Sequence, residues 1–242
     1  MADFYTPASV TANFVPSLYK ANESDKRSLV CLVDKNTPEG KQVAEALYNA
    51  VYQAVVEATQ RTGQQAVAGF AGQNPDELMK RINLPLKDGD TEMITRGTHA
   101  GHKRCEVNPE FAGHWYFKAS TKADLNADGY IVDPQGRPVP RSQMYSGVLV
   151  SVNVWPYAYN VSGEMGVALM LNAVRKDGDG PQLSESSGER NPLAGFNLPA
   201  PSVQPAGQGV PAVNPFATAP AAQPGPQPVG NPNGGPFTMM GV

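Results

Sequence analysis

The segment from Met144 to Tyr159, MYSGVLVSVNVWPYAY, constrains the fold more than any other part of the sequence. Valines occupy its even positions from 148 to 154, whereas Leu149, Ser151, Asn153 and then Trp155 occupy the odd positions. Successive side chains of a β-strand point to opposite faces, so this pattern predicts one long strand with an apolar core face and a second, mixed face. Pro156 lacks a backbone donor, and we therefore expect a bulge or the end of regular pairing there, which leaves the faces of the last two tyrosines open.

Further strands and two helices follow from the remaining patterns. Thr37 as N-cap, Pro38 in the first turn and a stop at Gly63 bracket an apolar stripe at helical spacing, which predicts one long helix. A short helix is predicted over NPDELMKRI, residues 74–82. We expect a mainly β protein, a small β-barrel or sandwich with these helical insertions. Strands are predicted at residues 8–20, 28–34, 114–121, 129–133 and 166–176.

Composition and charge bound the possible partners and compartment. The formal net charge of −3 excludes a globally basic nucleic-acid binder but is compatible with a local basic groove. The two cysteines, Cys31 and Cys105, form no disulfide framework, which favours a reducing compartment. Residues 1–14 contain no basic segment followed by an apolar run, and the sequence has no long apolar stretch. We expect a soluble cytoplasmic protein without a membrane partner.

The last charged residue is Arg190, and residues 191–242 are dominated by Pro, Gly, Ala, Gln and Asn. Frequent prolines block helices and sheet ladders, and few large apolar residues remain to offset the ordering entropy. We therefore predict a folded domain over 1–190 and a disordered tail over 191–242. Two functions remain open for the tail: a spacer, or a binding segment for partner proteins. The anchors of a binding segment would be Phe216, Phe237, Met239 and Met240.

The run HAGHKRC holds His99, His102 and Cys105, three residue types that ligate zinc. The spacing matches no well-defined zinc finger, and Lys103 and Arg104 would oppose a bound cation. We favour a basic loop over a metal site here. A metal-dependent enzyme built on these three residues remains the minor alternative.

Residues 124–135, DLNADGYIVDPQ, match part of a calcium-loop pattern. The twelfth position should be glutamate and is Gln135, and strand-like segments flank the loop instead of helices. A hairpin turn built on Asp128 and Gly129 explains the same residues without metal. The sequence leaves both interpretations open and predicts no resident metal.

Motifs for phosphate-binding loops, nucleophile elbows and dinucleotide-binding folds are absent from the sequence. The carboxylates Asp88, Asp90 and Glu92 lie in KDGDTE, a composition typical of a solvated turn rather than a catalytic pair. We therefore predict no enzymatic activity.

The predicted strand GHWYFKASTK has one face that mixes an aromatic ring with a cation. Tyr116 and Lys118 share this face, and Trp115 and Phe117 share the other. Rings beside lysines suit single-stranded nucleic acid, because exposed bases stack on the rings and the cations contact phosphates. Ordinary core packing of the aromatic residues is the alternative. Cations near these strands in sequence are Arg96, Lys103, Arg104, Lys122, Arg137 and Arg141.

An ordered set of motifs resembles a family of tailed-phage single-stranded-DNA-binding proteins, formerly catalogued as a phage domain of unknown function. The motifs are LPLKDGD (84–90), GHWYFKASTK (113–122), YIVDPQGRPVP (130–140) and MYSGVLVSVNVWPYAYNVSGEMGVALMLNAVRKDGDG (144–180). Their order and spacing agree with the family over about residues 84–180, and SLVCLVDK (28–35) fits its early strand.

The resemblance implies an OB-type barrel that binds single-stranded DNA during phage replication or recombination in the host cytoplasm. It implies no enzymatic activity and no cofactor, and phage or host replication proteins are the expected partners of the tail. Together with the pattern of rings and cations, it gives a predicted DNA-binding set. Its members are Tyr116, Lys118, Lys122, Arg141, Trp155, Tyr157, Tyr159, Lys103 and Arg104.

Two departures from the family pattern affect the prediction. The stretch ADLNADG (123–129) is inserted before the YIVD strand, and the tail lacks the acidic residues by which many such proteins recruit partners. Charge-based recruitment by the tail is therefore in doubt. The neutral tail and the net acidity keep a second function open, a phage structural or assembly module without DNA affinity.

Overall fold

The computed structural model describes residues 3–183, and the structural statements below concern that range. The predicted domain boundary at residue 190 and the predicted tail over 191–242 lie outside it. The strands are β1 (Phe4–Tyr5), β2 (Val10–Asn13), β3 (Arg27–Asp34), β4 (Leu86–Asp88), β5 (His114–Thr121), β6 (Ile131–Val132), β7 (Leu149–Val161) and β8 (Glu164–Gly178). The helices are α1 (Pro16–Tyr19), α2 (Pro38–Gln60), α3 (Pro75–Met79) and α4 (Arg104–Val107).

Five of the strands close into a barrel in the order β2–β3–β5–β8–β7, with β7 pairing back to β2. The β5–β8 pair is parallel, and the other barrel pairs are antiparallel. Numbered along the chain, the barrel strands therefore follow the order 1-2-3-5-4 of the five-stranded Greek-key barrel called the OB-fold. The prediction of a mainly β, OB-like barrel with one long and one short helical insertion is confirmed by this topology and by α2 and α3.

The long helix α2 packs its apolar stripe against the barrel core. Thr37 accepts a hydrogen bond from the Gly40 N–H (3.0 Å), and Pro38 occupies the first turn, as the sequence predicted. The helix contacts β3, β4, β7 and β8, so burial of the stripe ties the helix to several strands at once. The buried stripe residues are Val43, Ala44, Leu47, Val51, Ala54, Val55 and Ala58.

The two longest strands, β7 and β8, pair from end to end with register shifts at Leu149/Val150 and at Asn153/Val154, and the predicted interruption at Pro156 itself is wrong. Pro156 pairs with Leu169, and pairing continues to the turn after Val161. The N–H of Thr6 donates to the carbonyl of Val152 (3.1 Å), so the backbone groups of even-numbered β7 residues face β1. Within the described residues, pairing with β1 reaches Val154. The missing N–H of Pro156 therefore lies on the β1 side of the strand, and the pairing with β8 is kept.

The predicted strand over residues 8–20 is correct only for its first half. After β2 the chain turns at Phe14, whose φ is +52°, and α1 begins at Pro16. The side chain of Asn13 accepts a hydrogen bond from the Phe14 N–H (2.8 Å), which stabilises the turn. The alternation of side chains predicted a strand here because such a pattern gives no signal for a single residue with positive φ.

Candidate nucleic-acid interface

The outer face of β7 carries three aromatic rings. Trp155, Tyr157 and Tyr159 alternate with inward-facing residues and are each half-buried. The Trp155 and Tyr157 ring centroids lie 6.0 Å apart with an interplanar angle of 34°. Since alternate residues on a strand are about 6.6 Å apart, the three rings form a row along one surface. The regular pairing past Pro156 settles which face the two tyrosines occupy.

Lys118 lies on the same surface, two strands away from these rings. Tyr157 pairs with Ala168 on β8. Because Ala119 of β5 pairs with Leu169, the preceding residue Lys118 lies beside Ala168. Neighbouring strands are about 4.8 Å apart, so a lysine and an aromatic ring face solvent about 10 Å apart across a small alanine.

The next row has the same organisation without a charge. Ser120 of β5 pairs with Met170 of β8, and Met170 pairs with Trp155 of β7. Met170 is exposed, whereas Leu169 and Leu171 on either side of it are buried in the barrel. The central strand therefore offers a flat, uncharged floor between the lysine and the rings.

A groove of about 360 Å³ opens beside this surface. Tyr159 forms one wall, and its hydroxyl accepts a hydrogen bond from Asn83 Nδ2 (3.3 Å). The ring lies over Gly166, where an added Cβ would come within 2.8 Å of the Tyr159 Cζ. A glycine at this position is therefore what allows the phenol to pack down on β8. The groove is lined by Asn83, Leu84, Pro85, Lys87, Glu92, Arg104, Tyr116, Lys118, Ser120, Tyr159, Val167, Ala168 and Leu169.

Tyr116 lines the groove as a buried wall and not as an open stacking surface. It is 7% exposed and packs edge-to-face on Phe111, with ring centroids 4.8 Å apart. Burial raises the pKa of the Tyr116 phenol. Together with Val30 and Leu32 of β3, these rings form a second, smaller apolar cluster on the outside of the barrel.

Arg104 covers this cluster from the groove side. Its guanidinium carbon lies 5.7 Å from the centre of the Phe111 ring and 5.8 Å from that of Tyr116. Its Nε is buried and has no hydrogen-bond partner within residues 3–183. Lys87, also on the groove, is paired with Glu92 at 2.8 Å. Arg104 therefore brings a positive charge, stacked on two rings, to the groove wall, whereas Lys87 is held by Glu92.

The turn that shapes this wall is anchored by Lys35, the residue after the end of β3. Its ammonium contacts Asp88 at 2.5 Å and Asp90 at 2.6 Å, and lies 5.9 Å from the centre of the Trp115 ring. Burial disfavours the ammonium, but the hydrogen bonds from Lys35 to both carboxylates outweigh that effect and raise its pKa. Asp90 also accepts a hydrogen bond from the Gly113 N–H (2.9 Å). The KDGD segment is therefore a structural clamp between β3, β4 and the start of β5.

The structure brings some predicted residues together and leaves others apart. Lys118 is exposed and forms no ion pair with any residue of the described range. Lys122 is exposed just beyond the end of β5, and Lys103 is exposed just before α4. Arg141 lies over Tyr19 of α1, its guanidinium carbon 5.0 Å from the ring centre. The groove therefore unites Arg104, Tyr116, Lys118 and Tyr159, with Trp155 and Tyr157 on the adjoining surface.

A second groove of about 750 Å³ continues from the first through shared residues Asn83, Lys87 and Glu92. It adds Arg81 and Arg96. The Arg96 guanidinium lies 3.6 Å from the Glu164 carboxylate. Sequence patterns did not indicate Asn83 or Arg81. Asn83 lies in turn-like sequence, and its spatial neighbours are on β7 and β8. The LPLKDGD motif was the one signal that pointed to this region.

The candidate metal sites find no support in the geometry. Within residues 3–183, no three His, Cys, Asp or Glu side chains converge on a possible ion position, either around His99 and His102 or in the loop after Thr121. Asp124, the first residue of the calcium-loop pattern, is instead paired with Arg27 at 3.0 Å. No helix in the same range is long and apolar enough to span a membrane.

The topology defines an OB-fold protein, and the groove with the adjoining rings is its candidate binding surface. The chain belongs to the family described as the ssDNA-binding protein of Enterobacter phage Enc34, whose model matches residues 8–198. This is a family of binding proteins and not of enzymes. No curated protein sequence matches the chain.

Solved structures of the bacteriophage Enc34 single-stranded DNA-binding protein share the fold. One aligns with a TM-score of 0.50 at 16% identity, covering 78% of this chain and 87% of that protein. The same protein in complex with ssDNA aligns with a TM-score of 0.51 at 15% identity, covering 75% of this chain and 89% of its own. At these identities the likeness establishes the common fold.

Proposed function

We propose that this protein binds single-stranded DNA without sequence preference on the outer surface of β5, β8 and β7. The observation that carries the proposal is the row Lys118–Ala168–Tyr157, which sets a lysine without an ion pair in the described part of the chain and an aromatic ring on one open surface. Unpaired bases can stack on the rings of β7, while Lys118 and Arg104 contact phosphates. Double-stranded DNA would hide its base faces, so the surface favours single strands.

Family membership supports the proposal, because the family is described by a protein that binds ssDNA. The described surface supplies what such binding requires chemically: rings, cations without ion pairs, and a groove open to solvent. We further propose that the protein acts in phage DNA replication or recombination in the cytoplasm of the host. In that setting, residues 191–242 would recruit phage or host replication proteins.

The decisive experiment is a titration by intrinsic tryptophan fluorescence with a single strand of about thirty bases and the matching duplex, across a range of salt. We expect tight binding of the single strand, weaker binding of the duplex, and a steep loss of affinity with salt. A chain that binds neither DNA at low salt would instead support the structural or assembly module. Binding equally strong to the duplex would contradict a stacking mode.

Recruitment through the tail calls for a separate comparison. The full chain and a chain ending at Arg190 would be assayed for ssDNA binding and for association with the purified replication proteins of the phage. We expect equal DNA affinity and loss of protein association in the shortened chain. Association that survives the deletion would assign recruitment to the barrel.

A further inference from the structure

A hairpin-like segment over residues 92–104 forms one side of the second groove. The Arg104 N–H donates to the Glu92 carbonyl (2.8 Å) and closes the base of this segment. Residues 95–101, at the other end of it, are all exposed, and the first two of them line the groove. We refer to residues 92–104 as the flap and to residues 95–101 as its tip.

The base of the flap is fixed, whereas its tip is held by a weak contact. The stacked Arg104 and the ion pair of Glu92 with Lys87 anchor the base. Within residues 3–183, the Arg96–Glu164 ion pair is the one hydrogen bond or ion pair that joins a side chain of the tip to the rest of the chain. The two side chains are 88% and 75% exposed, and such exposed pairs stabilise a structure very little. The tip can therefore move away from the barrel while the base stays in place.

The opposite side of the second groove, at the turn between β7 and β8, is anchored. The side chain of Asn160 accepts a hydrogen bond from the Gly163 N–H (3.2 Å), and its Nδ2 donates to the Ala68 carbonyl (2.8 Å). Gly163 and Glu164 line the groove on this side. Because the backbone that carries Glu164 is held in this way, opening of the groove requires movement of the flap tip.

Two of the cations that line the second groove are paired with carboxylates of the same groove. The Lys87–Glu92 pair is close, at 2.8 Å, and both of its side chains are about two-thirds covered. The Arg96–Glu164 pair is longer, at 3.6 Å, and both of its side chains are exposed. A guanidinium binds a phosphate through two parallel hydrogen bonds, which are stronger than one long contact with a carboxylate. Arg96 is therefore the cation that an entering phosphate can take over, and Glu164 is the group that competes for it.

The second groove shares Asn83, Lys87 and Glu92 with the first, so a strand bound on the barrel surface can continue into it. On this basis, and resting on the proposed function, we propose that the flap tip is a gate on the second groove and that the Arg96–Glu164 pair is its latch. Opening of the tip admits the strand, and a phosphate of the strand takes the place of Glu164 at Arg96. Glu164 thereby becomes an internal competitor of the DNA.

The latch is tested first without DNA, by limited digestion with trypsin. Cleavage of the bond between Arg96 and Gly97, identified by mass spectrometry, reports how often the tip is detached. Glu164→Gln is expected to accelerate this cleavage about 2- to 5-fold, because loss of an exposed ion pair raises the open population by about that factor. The control is Glu45→Gln, an exposed glutamate on α2, which should leave the rate unchanged. An unchanged rate in Glu164→Gln would overturn the latch.

DNA binding then separates a latch from simple repulsion between Glu164 and the DNA. For a thymidine strand of about thirty residues, Glu164→Gln is expected to raise the affinity about 2- to 5-fold. Arg96→Ala is expected to lower the affinity and to reduce the slope of log affinity against log salt by about 0.7. In a chain that already carries Arg96→Ala, Glu164→Gln should have no measurable further effect, because the cation for which Glu164 competes is gone. An equal gain with and without Arg96 would show that Glu164 only repels phosphates, and would overturn the proposal.

Digestion in the presence of DNA keeps failure of this proposal distinct from failure of the proposed function. In the unaltered chain, a saturating amount of the thymidine strand is expected to slow cleavage at the Arg96–Gly97 bond, because Arg96 is then held by phosphate. Binding of the strand without any change in this cleavage would overturn the gate and leave the proposed function intact. A chain that binds no strand at low salt would refute the proposed function itself, whatever the digestion without DNA shows about the Arg96–Glu164 pair.

Discussion

The amide of Asn83 donates a hydrogen bond to the hydroxyl of Tyr159 across 3.3 Å, between a loop that precedes β4 and the end of β7. The two residues are far apart in sequence, and Gly166 lies directly beneath their contact. The backbone of Asn83 also pairs with β8, accepting from the Val167 N–H at 3.0 Å. This contact fixes the ring that forms one wall of the groove, so its disruption should alter binding more than folding.

Replacing Gly166 by alanine should displace the Tyr159 ring. The new Cβ would lie 2.6 Å from the Asn83 carbonyl oxygen and 2.7 Å from the Tyr159 hydroxyl, closer than packed atoms allow. We expect a loss of about 1–3 kcal/mol in the free energy of unfolding, measured in urea, and weaker ssDNA binding. Gly178→Ala on the same strand is the control, because its nearest neighbour would lie 3.9 Å away. Equal effects of the two substitutions would refute a specific role of the Tyr159 contact.

The ion pairs of Lys35 with Asp88 and Asp90 should make the free energy of unfolding depend on pH in the acidic range. Hydrogen bonds from Lys35 and from the Gly113 N–H hold the pKa of Asp90 below its usual value. A carboxyl whose pKa is lowered by folding stabilises the fold above its unfolded pKa of about 4, and that stability is lost as the pH falls through the lowered value. We expect Asp90→Asn to be destabilising at pH 7 and to flatten the loss of stability below about pH 4. Urea titrations at several pH values, with Lys41→Ala as control, would measure this.

Arg104 should contribute through its planar shape as well as its charge. The guanidinium stacks against Phe111 and Tyr116, a contact that an ammonium does not reproduce. We expect Arg104→Lys to retain most of the salt dependence of ssDNA binding while losing stability, and Arg104→Ala to lose both. Equal stability of the lysine variant and the unaltered chain would show that stacking on the two rings is unimportant.

The predicted DNA-binding cations should differ in strength according to their position. Lys118 lies on the groove, whereas Arg141 is engaged with the Tyr19 ring. We expect Lys118→Ala to weaken ssDNA binding more than Arg141→Ala, because a cation next to the rings can contact the phosphate of a stacked nucleotide. Titrations at two salt concentrations would compare them, and the reverse order would place the DNA nearer to α1.

The two cysteines should differ in reactivity. Cys31 is fully buried in the barrel, and burial raises the pKa of its thiol above the usual value. Cys105 is only half-buried. We expect one thiol to react with an alkylating reagent in the folded protein and two in urea, as counted by mass spectrometry. Rapid modification of Cys31 in the folded state would contradict the barrel packing.

Several elements could be predicted because their cause is local. The alternation in β7, the stripe and caps of α2, and the two faces of β5 follow from periodicity and from residues that favour particular backbone angles. Local patterns did not predict two other outcomes. Pro156 keeps its pairing with β8 because the backbone groups of even-numbered β7 residues face β1, and the chain turns at Phe14, where the Asn13 side chain accepts a hydrogen bond from the Phe14 N–H.

The sequence by itself determined that this chain is a mainly β protein with helical insertions, and that one face of a strand mixes rings with lysines. Only the tertiary structure decided that Lys118 and Tyr157 lie in one row, that Tyr116 is a buried wall, and that Asn83 reaches Tyr159. The physical reason is that periodicity fixes the direction of a side chain relative to its own strand. Which strands become neighbours, and in what register, depends on closing the barrel, which involves residues distant in sequence.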